Sequence, residues 1–265
     1  MTAPAAPTHS EQTIKVAGLD LRVLQEGKGE AVVVLHHSTG NPGWLPFYEK
    51  LAADFAVTVP DMPGYGQSHR PEWARDARDL AILVLQGLTR LGLTSRVSLV
   101  GLGFGGFVAA EAATMDQTRL RSLTLLGAAG LQPDEGEILD QMLVDFEDYV
   151  KAGFRSDESY HGVFGDEADA GLKQLWDYSR EMTARLTWKP YMFNRRLPEL
   201  LREVTVPTLL IWGSRDVIVP VSAAKRYERS LPKARLEVIE GAGHLVELEE
   251  PDRIAALIAA HIRAS

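Results

Sequence analysis

A chain of 265 residues, 45% apolar and 24% charged, has globular composition and enough length for one large domain or a domain with an insert. Its net charge of −8 and lack of any basic run argue against a nucleic-acid partner, which needs clustered Lys and Arg. With no cysteine, the chain has no disulfide, no thiolate metal site and no cysteine nucleophile.

The opening MTAPAAPTHS has neither a basic start nor an apolar stretch, so it reads as a frayed tail rather than a signal peptide. No apolar run approaches the ~18 residues of a membrane span. The expectation is a cytoplasmic protein with no membrane partner. TIKVAGL and LRVLQE then read as an antiparallel hairpin turned at Gly18–Asp20. Short apolar runs follow at 31–36, 56–60, 96–101, 121–127, 208–213 and 235–240, rich in β-branched residues and suited to strands buried on both faces. Helical patterns fall between them at 44–54, 74–92, 104–116, 221–230 and 250–263. This alternation predicts an α/β fold: a mostly parallel twisted sheet of about eight strands with helices on both faces.

From 131 to 204 the alternation stops. Ile138, Met142, Phe146 and Tyr149 recur at helical spacing, as do Leu172, Leu175, Trp176, Met182 and Leu186. The reading is a helical insert at 131–204 in a core made of 1–130 and 205–265. TWKPYMFNRR, at 187–196, is dense in pocket-forming side chains, with Trp188, Tyr191 and Met192 as substrate contacts and Arg195 or Arg196 as an anion partner. The plainer alternative is a helix-to-strand connection with surface arginines.

Four motifs carry the chemistry. LHHSTGNPGW, 35–44, follows a strand and is rich in turn residues. PDMPGYGQS, 60–68, places Gly64 and Gly66 in a turn where positive φ is expected. VSLVGLGFGG, 97–106, runs from an apolar strand through a glycine corner into a helix. GLGFGG also fits the dinucleotide-binding pattern, but its strand lies deep in the chain and the acidic residue that pattern needs does not follow a strand. Finally, GSRDVIVP and GAGHLVELEEP place Asp216 and His244 each just after a strand. An Asp accepting from one ring nitrogen of His fixes the tautomer and supports the imidazolium. No His, Asp or Glu cluster has metal-ligand spacing, and no cofactor is implied. His9, His69, His161 and His261 read as inert or exposed.

Together these motifs resemble the α/β-hydrolase family in its capped form, from about residue 12 to 263. The resemblance implies that 131–204 is a cap, that Asp216 and His244 are the acid and base of a triad, and that 97–106 is the corner displaying the nucleophile. The chain departs from the pattern at that position, which holds Gly103 instead of serine, and at His37, where glycine is usual. By the same likeness the backbone N–H groups of Ser38 and Phe104 form the oxyanion hole, and His37 lies near the substrate. HHSTGNPGW is also similar to the corresponding loop of the carbon–carbon bond hydrolases that cleave ring-fission products, which carry serine at the corner.

Several readings stay open. The His244–Asp216 dyad activates water against a small ester or activated carbonyl compound. Ser38 or Thr39 stands in for the missing hydroxyl. The dyad moves a proton without hydrolysis, as in a lyase, an isomerase or a cofactor-free oxygenase. Or the pocket only binds a small molecule. Fold does not choose among them.

Overall fold

The computed structural model describes residues 9–265; most of the expected N-terminal tail lies outside them. Eight strands form one sheet in the order β1-β2-β4-β3-β5-β6-β7-β8. They are β1 (Ser10–Val16), β2 (Leu19–Glu26), β3 (Ala31–Leu35), β4 (Ala56–Pro60), β5 (Val97–Leu102), β6 (Leu120–Leu126), β7 (Thr208–Gly213) and β8 (Ala234–Ile239). The first hairpin adds antiparallel through β2 to β4, and all other neighbours are parallel.

Side chains alternate across the sheet and divide the core in two. On one face Val33, Leu35, Leu99, Leu125, Leu210 and Trp212 pack against α2 (Ala77–Arg90), α3 (Phe104–Met115) and α8 (Val221–Ser230). On the other, Val32, Val34, Val100, Leu126, Leu209 and Ile211 meet α1 (Pro46–Ala52) and α10 (Pro251–Ala264). Strands covered on both faces carry continuous apolar runs, which is why AVVVL and TLLIWG were readable as strands.

Two loop devices hold the carboxyl edge of the sheet. Asp61, fully buried, accepts from the Gln67 amide at 3.0 Å and from Arg22 Nη1 at 3.3 Å, while Ser68 Oγ donates to the Asp61 carbonyl at 2.7 Å. This closes the DMPGYGQS turn, where Gly64 and Gly66 take φ of 88° and 54°. The second device is the β5–α3 corner. Gly105 N–H donates to the His36 carbonyl at 3.1 Å, so the first turn of α3 rests directly on the end of β3. A Cβ at Gly105 would lie 2.5 Å from that oxygen.

Between β6 and β7 the chain forms α4 (Phe146–Ala152), α5 (Asp157–Phe164), α6 (Ala170–Thr187) and α7 (Leu197–Leu201); after β8 the short α9 (Val246–Glu249) precedes α10. Trp176, Met182 and Leu186 on α6 are buried, as their spacing predicts. The helical reading of Ile138 and Met142 is corrected: helix begins only at Phe146, where Asp145 caps it through a 2.8 Å bond from the Glu147 amide. The segment before it is held by tertiary bonds, among them Leu139 N–H to the Ile218 carbonyl at 2.9 Å.

Gly105→Ala places a methyl group against rigid carbonyl oxygens. We expect a loss of at least about 2 kcal/mol in urea unfolding, whereas alanine at the open Gly162, within α5, changes stability by under about 1 kcal/mol.

Candidate functional site

The corner residue Gly103 has φ 52° and ψ −111°, a conformation costly for residues with a side chain. Its amide donates to the Leu126 carbonyl at 2.9 Å, and its carbonyl accepts from Gly106, Phe107 and Ala129. Phe104 opens α3, so its N–H belongs to the first helical turn, which has no intrahelical acceptor.

Asp216 follows β7, and its carboxylate is fully engaged. Oδ1 accepts from the amides of Ile218 and Val219 at 2.9 and 2.8 Å, and Oδ2 meets His244 Nδ1 at 2.8 Å. A carboxylate only accepts, so Nδ1 carries the proton and Nε2 presents a lone pair. That Nε2 lies 3.1 Å from the point where a Cβ on Gly103 would stand. Both side chains are buried. The His244 loop is fixed on each side: Gly243 N–H donates to Glu249 Oε2 at 2.8 Å, and Leu245 N–H to the Gly153 carbonyl at 2.9 Å.

A second imidazole–carboxylate pair faces the first. His37 Nε2 meets Glu247 Oε1 at 3.1 Å, with both side chains buried. His37 Nδ1 lies 2.5 Å from the same Cβ point on Gly103, and the two imidazole centroids are 5.0 Å apart. His37 Nδ1, Glu247 Oε2 and the Tyr48 hydroxyl are buried without a hydrogen-bond partner among the described residues. His37, Glu247 and Tyr48 line a cavity of about 30 Å³, room for a water.

His36 is structural. Its Nδ1 donates to the His37 carbonyl at 2.7 Å and its Nε2 accepts from the Met62 amide at 2.9 Å, tying the first loop to the turn after β4. Complete burial lowers its pKa and keeps it neutral.

The insert reaches this site through Tyr149 and Thr183. Tyr149 is hydrogen-bonded to the Ser38 side chain, and burial pushes its phenol well above the ordinary value. Thr183 Oγ1 contacts the Ser38 carbonyl at 3.2 Å and the Tyr65 hydroxyl at 2.8 Å. Ser38 is thus buried and held from above.

The three candidates from TWKPYMFNRR fall elsewhere. Trp188 is 74% exposed, on the wall of a separate cleft of about 390 Å³ shared with Arg78, Glu111, Lys189 and Arg196. The Tyr191 hydroxyl accepts from the Gln141 amide at 2.9 Å and contacts the Leu139 carbonyl at 3.2 Å, holding the irregular segment. Met192 is buried, with φ of 57°, and its carbonyl accepts from Gly130 N–H at 2.8 Å. His69 and His161 are exposed, while His261 is buried with Nε2 3.2 Å from the Leu123 carbonyl, a packing contact. Two members of the cluster escaped the sequence reading. Glu247 sits one turn beyond His244 in a run of glutamates, and its contact with His37 distinguishes it from Glu249, whose equally buried side chain pairs with Arg155 and accepts from the Gly243 amide. Tyr149 carried only a helical-spacing signal, which fits packing onto the core as well as a pocket wall.

Two outcomes follow from this geometry. Asp216→Ala strips the acceptor from two buried amides and from His244, and thermal melts should show a loss of about 2–4 kcal/mol. Tyr48, Tyr65 and Tyr149 have pKa values raised chiefly by burial. In the unfolded chain they release protons near pH 10, while in the folded chain they keep them. Their contribution is therefore complete below about pH 10 and lost as the pH rises above it, so urea midpoints should fall across pH 10–11.5, and less steeply in Tyr149→Phe.

Residues 32–257 match the model of the alpha/beta hydrolase family. The 2-hydroxy-6-oxo-6-(2'-aminophenyl)hexa-2,4-dienoic acid hydrolase of Metapseudomonas resinovorans is 27% identical over 271 residues, covering 92% of this chain and 88% of its own. A 2-hydroxy-6-oxononadienedioate/2-hydroxy-6-oxononatrienedioate hydrolase of Dechloromonas aromatica is 28% identical over 283 residues, with 97% and 96% covered. The solved meta-cleavage product hydrolase from Pseudomonas fluorescens IP01 superposes with a TM-score of 0.78 at 23% identity, covering 96% of this chain and 97% of its own, a likeness of fold. With a family model matching most of its length and a mostly parallel eight-stranded sheet, the chain belongs to the α/β hydrolase family.

Proposed function

We propose that this protein hydrolyses a small ester or activated carbonyl compound, with Gly103 standing where serine enzymes of the fold carry their nucleophile and His244 acting on water. The observation that supports this most directly is the 2.8 Å contact between His244 and Asp216, with Nε2 aimed at the corner. Asp216 holds the imidazole in one tautomer. The free Nε2 takes a proton from water as the oxygen attacks the carbonyl carbon. Charge developing on the carbonyl oxygen is met by the N–H groups of Phe104, at the head of α3, and Ser38. A triad stripped of one member retains roughly 10³–10⁴-fold catalysis over water from its oxyanion hole and binding, enough for an activated substrate.

In this reading the insert is a cap. The cavity beside His37 holds about 30 Å³, so substrate entry requires the cap residues over Ser38 to move. The relatives named for oxo-dienoic acids suggest a substrate whose reacting carbonyl is conjugated to a carboxylate-bearing chain. The reading needs no metal or organic cofactor, and its partner is a small molecule.

A panel of p-nitrophenyl esters and 2-hydroxy-6-oxo-dienoates tests this. The protein should turn over at least one member, and His244→Ala and Asp216→Asn should each lower kcat by about 10²–10⁴-fold. Turnover unchanged in His244→Ala, or none on any member, overturns it.

A further inference from the structure

Glycine at 103 and histidine at 37 are two departures from the pattern of the fold, and the structure brings them into contact. His37 Nδ1 lies 2.5 Å from where a Cβ on residue 103 would stand, closer than a real side chain permits, and the nearest atoms there belong to the His37 ring and to His244 Nε2. A serine at 103 and an imidazole at 37 thus compete for one volume. The imidazole that holds it is 6% exposed, paired through Nε2 with the buried Glu247, and its Nδ1 has no partner among the described residues. In the neutral ring, with Nε2–H donating to the carboxylate, Nδ1 carries a lone pair facing the space that His244 Nε2 also faces. A neutral imidazole with a free, desolvated lone pair, oriented by a carboxylate, is an activated nucleophile.

We propose that His37 is a catalytic residue that replaces the serine: its Nδ1 attacks the acyl carbon, with Glu247 as its orienting carboxylate and His244–Asp216 as the base for the second half of the reaction. This rests on the hydrolytic reading above and assigns the first step to a different imidazole. The Nδ1 lone pair forms the N–C bond, and the carbonyl π pair moves to oxygen. Collapse of that intermediate breaks the C–O bond and expels the alkoxide with its electron pair. The Nε2 proton of the acylimidazolium passes to Glu247 across the 3.1 Å contact. Water then adds to the acyl carbon as His244 Nε2 takes its proton. The C–N bond breaks, its pair returns to Nδ1, and Glu247 returns the proton to Nε2. The proton on His244 neutralises the departed alkoxide through solvent. The sum is ester plus water to acid plus alcohol, with no change of oxidation state.

Two arms test the assignment. In the first, the intact protein, His37→Asn and His244→Asn react with p-nitrophenyl acetate, are quenched in acid and are mapped by peptide mass. We expect an acetyl group on the His37 peptide, accumulating in His244→Asn, where its hydrolysis slows, and a loss of turnover on the order of 10²-fold or more in His37→Asn. Turnover retained in His37→Asn overturns the proposal and leaves the hydrolytic reading standing. Acetylation of His37 without turnover marks a dead-end adduct and overturns both. Neither acetylation nor turnover overturns both. In the second arm, Gly103→Ser and the double variant Gly103→Ser/His37→Gly are treated with a fluorophosphonate. Labelling at residue 103 should need the double change; equal labelling of the single variant would show that His37 does not hold the serine's place. Circular dichroism of each variant separates unfolding from chemistry.

Discussion

The site depends on a close approach of backbones. The first turn of α3 sits on the end of β3, with Gly105 N–H bonded to the His36 carbonyl and no space for a Cβ between them. This contact fixes the direction in which α3 leaves the sheet, and hence where the Phe104 amide points. It also brings His36 and His37, at the end of β3, against the corner at Gly103. β3 and β5 are themselves paired in the sheet, so the contact adds the position of α3 to an alignment the strands already share.

Around the corner, two imidazole–carboxylate pairs have different degrees of constraint. Asp216 has its acceptors satisfied by two amides and His244, so its geometry is over-determined. Among the described residues, Glu247 has one oxygen on His37 and one buried without a partner, and the Tyr48 hydroxyl on the same cavity is also unpaired. Buried polar groups left unsatisfied cost stability and are concentrated where chemistry or ligand binding uses them. The two pairs are therefore not equivalent. The first is a rigid support, and the second retains unused hydrogen-bonding capacity facing a small cavity.

The insert contributes low-dielectric cover more than charge. Tyr149 of the insert is buried, its phenol pKa raised by desolvation, and Thr183 of the insert bonds the Ser38 carbonyl and the buried Tyr65 of the turn after β4. Electrostatic interactions between the two imidazoles and any reacting carbonyl are stronger under such a cover than in water. The same burial limits the space beside His37 to about 30 Å³.

Much of the fold was written in local pattern. Runs such as AVVVL and TLLIWG could only be strands covered on both faces, and the glycines at 64, 66 and 103 marked backbone that other residues resist. Asp216 and His244 stood in the loops after their strands, and they meet at 2.8 Å. The irregular stretch before Phe146 was misread, because helical spacing of Ile138 and Met142 reports only a repeat, while long-range bonds to Ile218 and Tyr191 decide its path. Trp188, Tyr191 and Met192 shared a pocket-like composition, yet burial and backbone bonding sent them to three different environments. The sequence by itself determined the order of strands and helices, the glycine corner and the identity of one imidazole–carboxylate pair, since each depends on residues close in the chain or on a fixed loop position. Only the tertiary structure decided that His37 fills the volume beside Gly103 and that Glu247 supports it, because proximity between residues 66 to 210 positions apart is set by packing, which no local pattern encodes.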